Sequence, residues 1–329
     1  MWMSIFTWLL SALALLGNGL VIYLLVVRKR LHSSANAFIT SLAFADFFVG
    51  LFTMPCYRMT SVFSGYRSVR LLTSFRYFLF YTSASNLCVV TADRFIAVAC
   101  PLRYITFMTW RRVFSFIFVA WLTPFTVCFL PVTWIYSSSV ETQKMCNKVF
   151  VAFLLTFFEF LPCIVMVNTT WRLLCISRRH TRQTFAVQSQ LKFNHPTLNF
   201  SSLREHRERN ISSAKLISVV VALFVFCYTS EMISSLFHLL NLHNKNIWRN
   251  YFKNDGRFLF LITNSAVNPF VYALLKKDIQ NEFRRFFSGK RFRWWDLMSY
   301  YNVPPLYLPA QRFEIHALRI THILDGNFL

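Results

Sequence analysis

The chain has 329 residues, 55% of them hydrophobic and only 15% charged, with 38 Phe and a mean hydropathy of +0.42. That balance excludes an ordinary soluble chain built on one core and points to several membrane spans. The formal net charge of +22 would suit nucleic acid, but the basic residues cluster between apolar stretches, as they do in the cytosolic loops of helical membrane proteins. The expected partner is therefore the lipid bilayer, with no nucleic acid. The eight Cys are scattered without CxxC spacing, so no zinc or redox framework is expected.

Residues 4–27 are almost wholly apolar and would measure about 36 Å as a helix, enough to cross a bilayer. No basic segment precedes them, and they are long for a signal-peptide core, so they read as a retained first span. Arg28-Lys29-Arg30 follows and places that end in the cytosol, with the N-terminus extracellular. The segment ahead of span 1 is a few residues long, which suits either a minimal outer domain or a truncated reading of the gene.

Span 2 is expected over residues 36–60. It carries Asp46 deep in apolar sequence, where a carboxylate needs a partner or an ion, and Pro55 near its outer end. Span 3 covers residues 70–98 and ends in Asp93-Arg94-Phe95, a charged pair that belongs at the water boundary or inside a bundle. Span 4 covers 112–131, with Trp121 near its middle. Residues 133–148 are polar and read as an outside loop holding Cys146. Span 5 covers 149–176 and contains Pro162.

Residues 177–213 form the one long polar stretch between spans, rich in Arg, and read as a cytosolic loop. The glycosylation acceptors at Asn199 and Asn210 fall on that inner side and should stay unmodified. Span 6 covers 214–240, residues 241–255 form a short outside loop, and span 7 covers 257–275. In residues 276–288, Ile279, Phe283, Phe286 and Phe287 share one helical face among basic residues. That pattern reads as an amphipathic helix on the inner leaflet rather than one seated on a core. Residues 1–288 thus make the seven-transmembrane domain, an all-α membrane protein with a short amphipathic eighth helix, and 289–329 a cytoplasmic tail.

One set of residues falls once per span and in order: Gly17-Asn18, Leu42 to Asp46, Asp93-Arg94-Phe95, Trp121, Pro162, Phe224 with Cys227, and Asn268-Pro269-Phe-Val-Tyr272. This set resembles the rhodopsin-like (class A) G-protein-coupled receptors over residues 17–287, nearest the amine-like and melanocortin/adenosine-like branches. The resemblance implies a plasma-membrane receptor, not an enzyme, that binds an extracellular ligand and activates a heterotrimeric G protein. It implies that Asn18, Asp46, Ser83, Asn264 and Asn268 line a sodium pocket. The residues themselves also permit a set of packing hydrogen bonds with no ion. For coupling it implies Asp93, Arg94, Leu102, Phe224, Pro269 and Tyr272: Arg94 meets the G protein, Leu102 docks into it, and Pro269 makes Tyr272 movable.

The chain departs from the family pattern in several places. Val69 stands where the family has a Cys, leaving Cys146 without its usual partner and Cys56 as a substitute. Span 6 reads Cys227-Tyr228-Thr229-Ser230, without the family's Trp and Pro. Thr170 replaces an inner Tyr, and Asn210 replaces an acid, with Glu208 nearby. Arg76 stands where amine receptors carry an Asp for the ligand's ammonium, 18 residues before Arg94 and about 27 Å toward the outside, so the sign is reversed and a simple amine is disfavoured. Glu159 and Glu231 fall at the same depth, with Tyr77, Phe80, Tyr228, Ser235 and Phe258 around the same cavity. Arg76 and the two Glu have two readings: an internal salt bridge, or a site for a small zwitterion, an anion or a peptide. No cofactor is expected beyond a sodium ion at Asp46. Ile262 stands where an opsin needs Lys, so retinal is not expected. A non-coupling decoy or dimer partner and, more remotely, a transporter complete the alternatives.

Overall fold

The computed structural model describes residues 2–62, 65–134, 139–194, 201–240 and 256–287, all helical apart from short turns. The helices are α1 (Trp2–Val27), α2 (Ser34–Val62), α3 (Tyr66–Ala99), α4 (Pro101–Phe107) and α5 (Trp110–Phe129). They continue as α6 (Val140–Leu154), α7 (Leu161–Asn194), α8 (Ser201–Leu239), α9 (Gly256–Leu275) and α10 (Lys277–Phe287). The chain divides into two compact units, Met1–Arg284 and Arg285–Leu329. The first holds the bundle; of the second, only residues 285–287 are described. The tail 289–329 lies outside the described residues.

Five stretches are long and apolar enough to cross a membrane: Ile5–Val27, Ser34–Thr60, Trp110–Thr133, Glu141–Arg179 and Leu216–Phe237. A sixth candidate is long and apolar enough only as a bent pair, Phe258–Leu274 with Asp278–Phe286, which meet at 91°. That bend makes α10 a helix separate from α9. The 34-residue α3 carries Arg67, Arg70, Arg76, Asp93 and Arg94, which dilute its apolar character. Yet it is the hub of the bundle, packing against α2, α5, α7 and α8.

The bundle is apolar on both its inside and its outside. Phe80, Leu87, Phe224 and Ile262 are buried in one core, while Phe114, Phe118 and Phe125 of α5 point outward. In water that outer face would drive aggregation; in lipid it is solvated, and close packing and interhelical hydrogen bonds hold the helices together. Two glycines permit the closest approaches. A Cβ on Gly50 would lie 2.7 Å from the Leu15 amide nitrogen, and one on Gly17 would lie 2.9 Å from Pro269 Cγ. These positions set α1 hard against α2 and α9.

Three expectations from sequence are corrected. The stretch 133–148 is largely helix: α6 starts at Val140, capped by Ser139, whose hydroxyl accepts from the Thr142 amide at 3.3 Å. Glu141 in the first turn suits the positive end of the helix dipole. The loop 177–213 is also mostly helix, because α7 runs to Asn194 and α8 begins at Ser201. Residues 177–194 contain no Gly or Pro, and charge alone does not stop a helix. The eighth helix is seated on the core in part: Ile279 is fully buried and Phe283 packs against the core, while Phe286 is exposed. The 91° bend tucks the first turns of α10 under the bundle, and Arg28 of the α1–α2 connection meets Glu282 at 3.5 Å.

A six-residue π-helical segment, Leu155–Phe160, joins α6 to α7 just before Pro162. Its widened turn has no signature in hydrophobic periodicity. It leaves Glu159 fully buried while Phe157 and Phe160 on either side of it face outward.

Candidate ligand pocket and switch residues

At the outer half, α3 supplies Arg76, Tyr77, Phe80 and Tyr81 on successive turns. The Arg76 guanidinium lies 4.3 Å over the Phe258 ring and 5.8 Å from the Tyr57 ring, a cation–π arrangement that stabilises a cation away from water. Phe258 stacks on Phe80 at 6.2 Å, and the Tyr228 hydroxyl donates to the Phe80 carbonyl at 2.9 Å. The two carboxylates are each engaged by a tyrosine of α3. Tyr77 donates to Glu231 at 3.0 Å, and Tyr81 donates to Glu159 at 2.8 Å, with the Ser235 hydroxyl 3.4 Å from the same oxygen. Tyr77 and Tyr81 stack on each other at 5.8 Å. All eight residues expected at the pocket therefore meet in one cluster. Tyr81 and Tyr57 join them without having been expected from sequence. Tyr81 lies one turn from Tyr77 on the same face, and that spacing is the signal for it.

At mid-depth, Asp46 accepts from the Ser83 hydroxyl at 2.6 Å and from Asn268 Nδ2 at 2.7 Å, joining α2, α3 and α9. Asn18 does not reach Asp46: its Nδ2 donates to the Ala14 and Ser265 carbonyls at 2.8 and 3.0 Å. Asn18 Oδ1 and Asn264 Oδ1 are buried acceptors with no hydrogen-bond partner among the described residues. A carboxylate, hydroxyls and unsatisfied amide oxygens form the donor set that suits a hard cation such as sodium. Trp121 belongs to a neighbouring link: its Nε1 donates to Ser41 at 3.0 Å, and Ser41 donates to Asn86 at 2.6 Å.

At the inner end, Asp93 Oδ2 accepts from Arg94 Nε at 2.9 Å and from Arg94 Nη2 at 2.5 Å. Asp93 Oδ1 accepts from the Tyr104 hydroxyl of α4 at 2.8 Å. Burial, followed by the Asp93 charge, raises the Tyr104 phenol above its ordinary pKa, so it stays a donor. Leu102, on the same short helix, is 86% exposed. Phe224 is fully buried and stacks on Tyr228 at 4.2 Å, linking the aromatic cluster to the lower half of α8. Tyr272 is buried behind Pro269, and its hydroxyl has no partner among the described residues, so it is not bonded to Arg94. Lys276, at the α9–α10 joint, hydrogen-bonds Asn36 of α2; burial, with Arg94 nearby, lowers its pKa to about 7. Thr170 is buried, and its hydroxyl has no hydrogen-bond partner among the described residues. The side chains of Glu208 and Asn210 lie outside those described. Cys56 and Cys146 are both free thiols.

Residues 17–272 match the family described as 7 transmembrane receptor (rhodopsin family). The chain is 27% identical over 316 residues to the D(1C) dopamine receptor of Xenopus laevis, spanning 86% of this chain and 67% of that one. It is 26% identical over 300 residues to the histamine H2 receptor of Rattus norvegicus, spanning 85% and 78% of the two chains. It is 25% identical over 301 residues to the adenosine receptor A2a of Homo sapiens, spanning 84% and 69%.

Proposed function

Because the chain belongs to the rhodopsin family of seven-transmembrane receptors, which are multi-pass membrane proteins signalling through G proteins and not enzymes, we propose that it is a plasma-membrane receptor for a small zwitterionic or anionic ligand. The observation that supports this is the burial of Arg76, Glu159 and Glu231 within one aromatic cluster. A carboxylate or phosphate on the ligand would take Arg76 as a bidentate partner. An ammonium on the same ligand would take Glu159 or Glu231. The relatives are named for amines and a nucleoside, but a simple amine would meet a guanidinium at the α3 position. Arg94, held by Asp93, is the coupling residue, and Tyr272 supports it after activation.

The test is G-protein activation in cells expressing the chain beside an Arg94→Ala variant, followed by a ligand screen on the parent and on Arg76→Ala. A basal or ligand-driven signal lost in Arg94→Ala supports coupling. A ligand that still binds Arg76→Ala with unchanged affinity removes the anion subsite. One observation favours a second reading, a partner that does not couple: α8 runs from Ser201 to Leu239 with no proline to hinge it. Surface expression with no signal for any G-protein class and any ligand supports that reading.

A further inference from the structure

Two sulfurs touch between α3 and α7, at a place that shares no residue with the aromatic cluster, the Asp46 network or the Asp93–Arg94 pair. The Cys88 thiol donates to the Met166 thioether, with Sγ and Sδ 3.4 Å apart. Cys88 lies six residues before Arg94, about 9 Å along α3 toward the outside. A third sulfur belongs to Cys163, three residues before Met166 on α7 and therefore beside it on one helical face. Met166 and Cys163 are 1% and 7% exposed, and Cys163 is within electrostatic range of Cys88. Both cysteines are free thiols, and among the described residues neither side chain is hydrogen-bonded to nitrogen or oxygen.

The donor set selects the ion. Among the described residues no group of three His, Cys, Asp or Glu could hold a metal. This cluster has two such residues and is completed by a thioether, a soft donor that suits copper(I). Charge selects in the same direction. One thiolate and one monovalent ion sum to zero, whereas a divalent ion would leave an unpaired charge inside a span. The spacing also fits. Two sulfurs each about 2.3 Å from one ion lie about 3.8 Å apart at a tetrahedral angle and about 4.0 Å apart at a trigonal one. An opening of about half an ångström admits the ion, and the unbranched methionine side chain can supply it.

We propose that Cys88, Met166 and Cys163 form a copper(I) site that pins α3 to α7. Copper(I) takes the place of the thiol proton between Sγ of Cys88 and Sδ of Met166. The Cys88 S–H bond breaks, an S–Cu bond forms, and the proton leaves to solvent. Cys163 keeps its proton and closes the third side as a weaker sulfur donor. Copper stays in one oxidation state, so no oxidant or reductant is consumed. The site stands on helix packing alone and does not depend on the ligand or on coupling.

The experiment uses the full chain in nanodiscs, with Cys100, Cys146 and Cys175 changed to Ser to remove thiols outside the cluster. Copper(I) is added anaerobically as its coloured bicinchoninate complex, and loss of colour reads transfer to the protein. The expected result is one copper withheld per chain, with X-ray absorption showing sulfur neighbours at about 2.3 Å. Cys88→Ser removes the binding. Met166→Leu weakens it at least about tenfold, since even an outer partner of a metal site is typically worth that much. Cys128→Ser, a buried thiol of α5 away from the cluster, leaves it unchanged, and thermal melts check that each variant is folded. No copper withheld from the chelator overturns the proposal. So does copper held equally well by Cys88→Ser and Met166→Leu, which would assign it to another thiol. Zinc(II) held as tightly as copper(I) overturns the soft-donor site, and an equal loss in Cys128→Ser overturns the assignment to these three residues.

Discussion

Tyr104 donates its hydroxyl to one oxygen of Asp93 at 2.8 Å, while the other oxygen of Asp93 holds the Arg94 guanidinium. One carboxylate thus restrains the Arg94 guanidinium and the short helix that presents Leu102. With Arg94 as the proposed coupling residue, releasing it is expected to favour the coupling-competent state by the worth of the lost bonds. Asp93→Asn removes a charge-assisted pair, and basal nucleotide exchange should rise about tenfold; Tyr104→Phe removes one hydrogen bond and should raise it about threefold. Exchange measured on membranes with added G protein decides this. No rise in either variant would show that Arg94 is not restrained through Asp93.

Tyr81 and Glu159 form a buried pair whose halves are unequal. Tyr81→Phe withdraws a donor from a buried carboxylate and should cost about 1–3 kcal/mol. Glu159→Gln keeps an acceptor for Tyr81 and should cost less. Thermal unfolding in detergent ranks the two, and the reverse order would mean that the Glu159 charge, not its hydrogen bond, governs stability.

The Asp46 cluster should respond to sodium. Sodium at about ten times its dissociation constant would add about 1.4 kcal/mol of stability. The melting temperature in sodium chloride should then exceed that in choline chloride at equal ionic strength. Asp46→Asn should abolish the difference and Ser83→Ala reduce it. A parent protein indifferent to the cation would leave Asp46, Ser83 and Asn268 as a packing network alone.

Lys276 should make stability depend on pH. Its folded pKa is lowered from 10.5 to about 7, so between those values the unfolded chain holds a proton that the folded chain does not. Stability therefore rises with pH across that window and reaches its low plateau below about 7. Lys276→Met should flatten the rise, read as melting temperature from pH about 6 to 10. An unchanged slope would assign the effect to other groups.

Much of this was legible in the chain itself. The spans were visible because a bilayer demands about twenty apolar residues in a row, and the order of Asn18, Asp46, Arg94, Trp121 and Asn268 carried the family. The Asp46–Ser83–Asn268 triad follows from polar groups in apolar helices, which have nowhere to go but toward each other, whereas the eight residues expected around the ligand came from the family resemblance. Charge misled at the helix ends. The Arg-rich stretch after residue 177 read as a loop, although it contains nothing that breaks a helix before Asn194. The inner face of α10 read as a lipid face because a helix pattern cannot say whether protein or lipid covers it.

Sequence alone therefore determined which segments are apolar enough to enter the membrane and which polar residues must share the interior. Tertiary structure decided which of those residues touch. It set Tyr81 against Glu159, sent Asn18 to backbone carbonyls instead of Asp46, and turned Glu159 inward through a π-helical segment. Those outcomes depend on helix rotation and depth, which are fixed by close contacts such as Gly50 against Leu15 and Gly17 against Pro269. Such contacts form only between segments far apart in the chain, so no local pattern of residues encodes them.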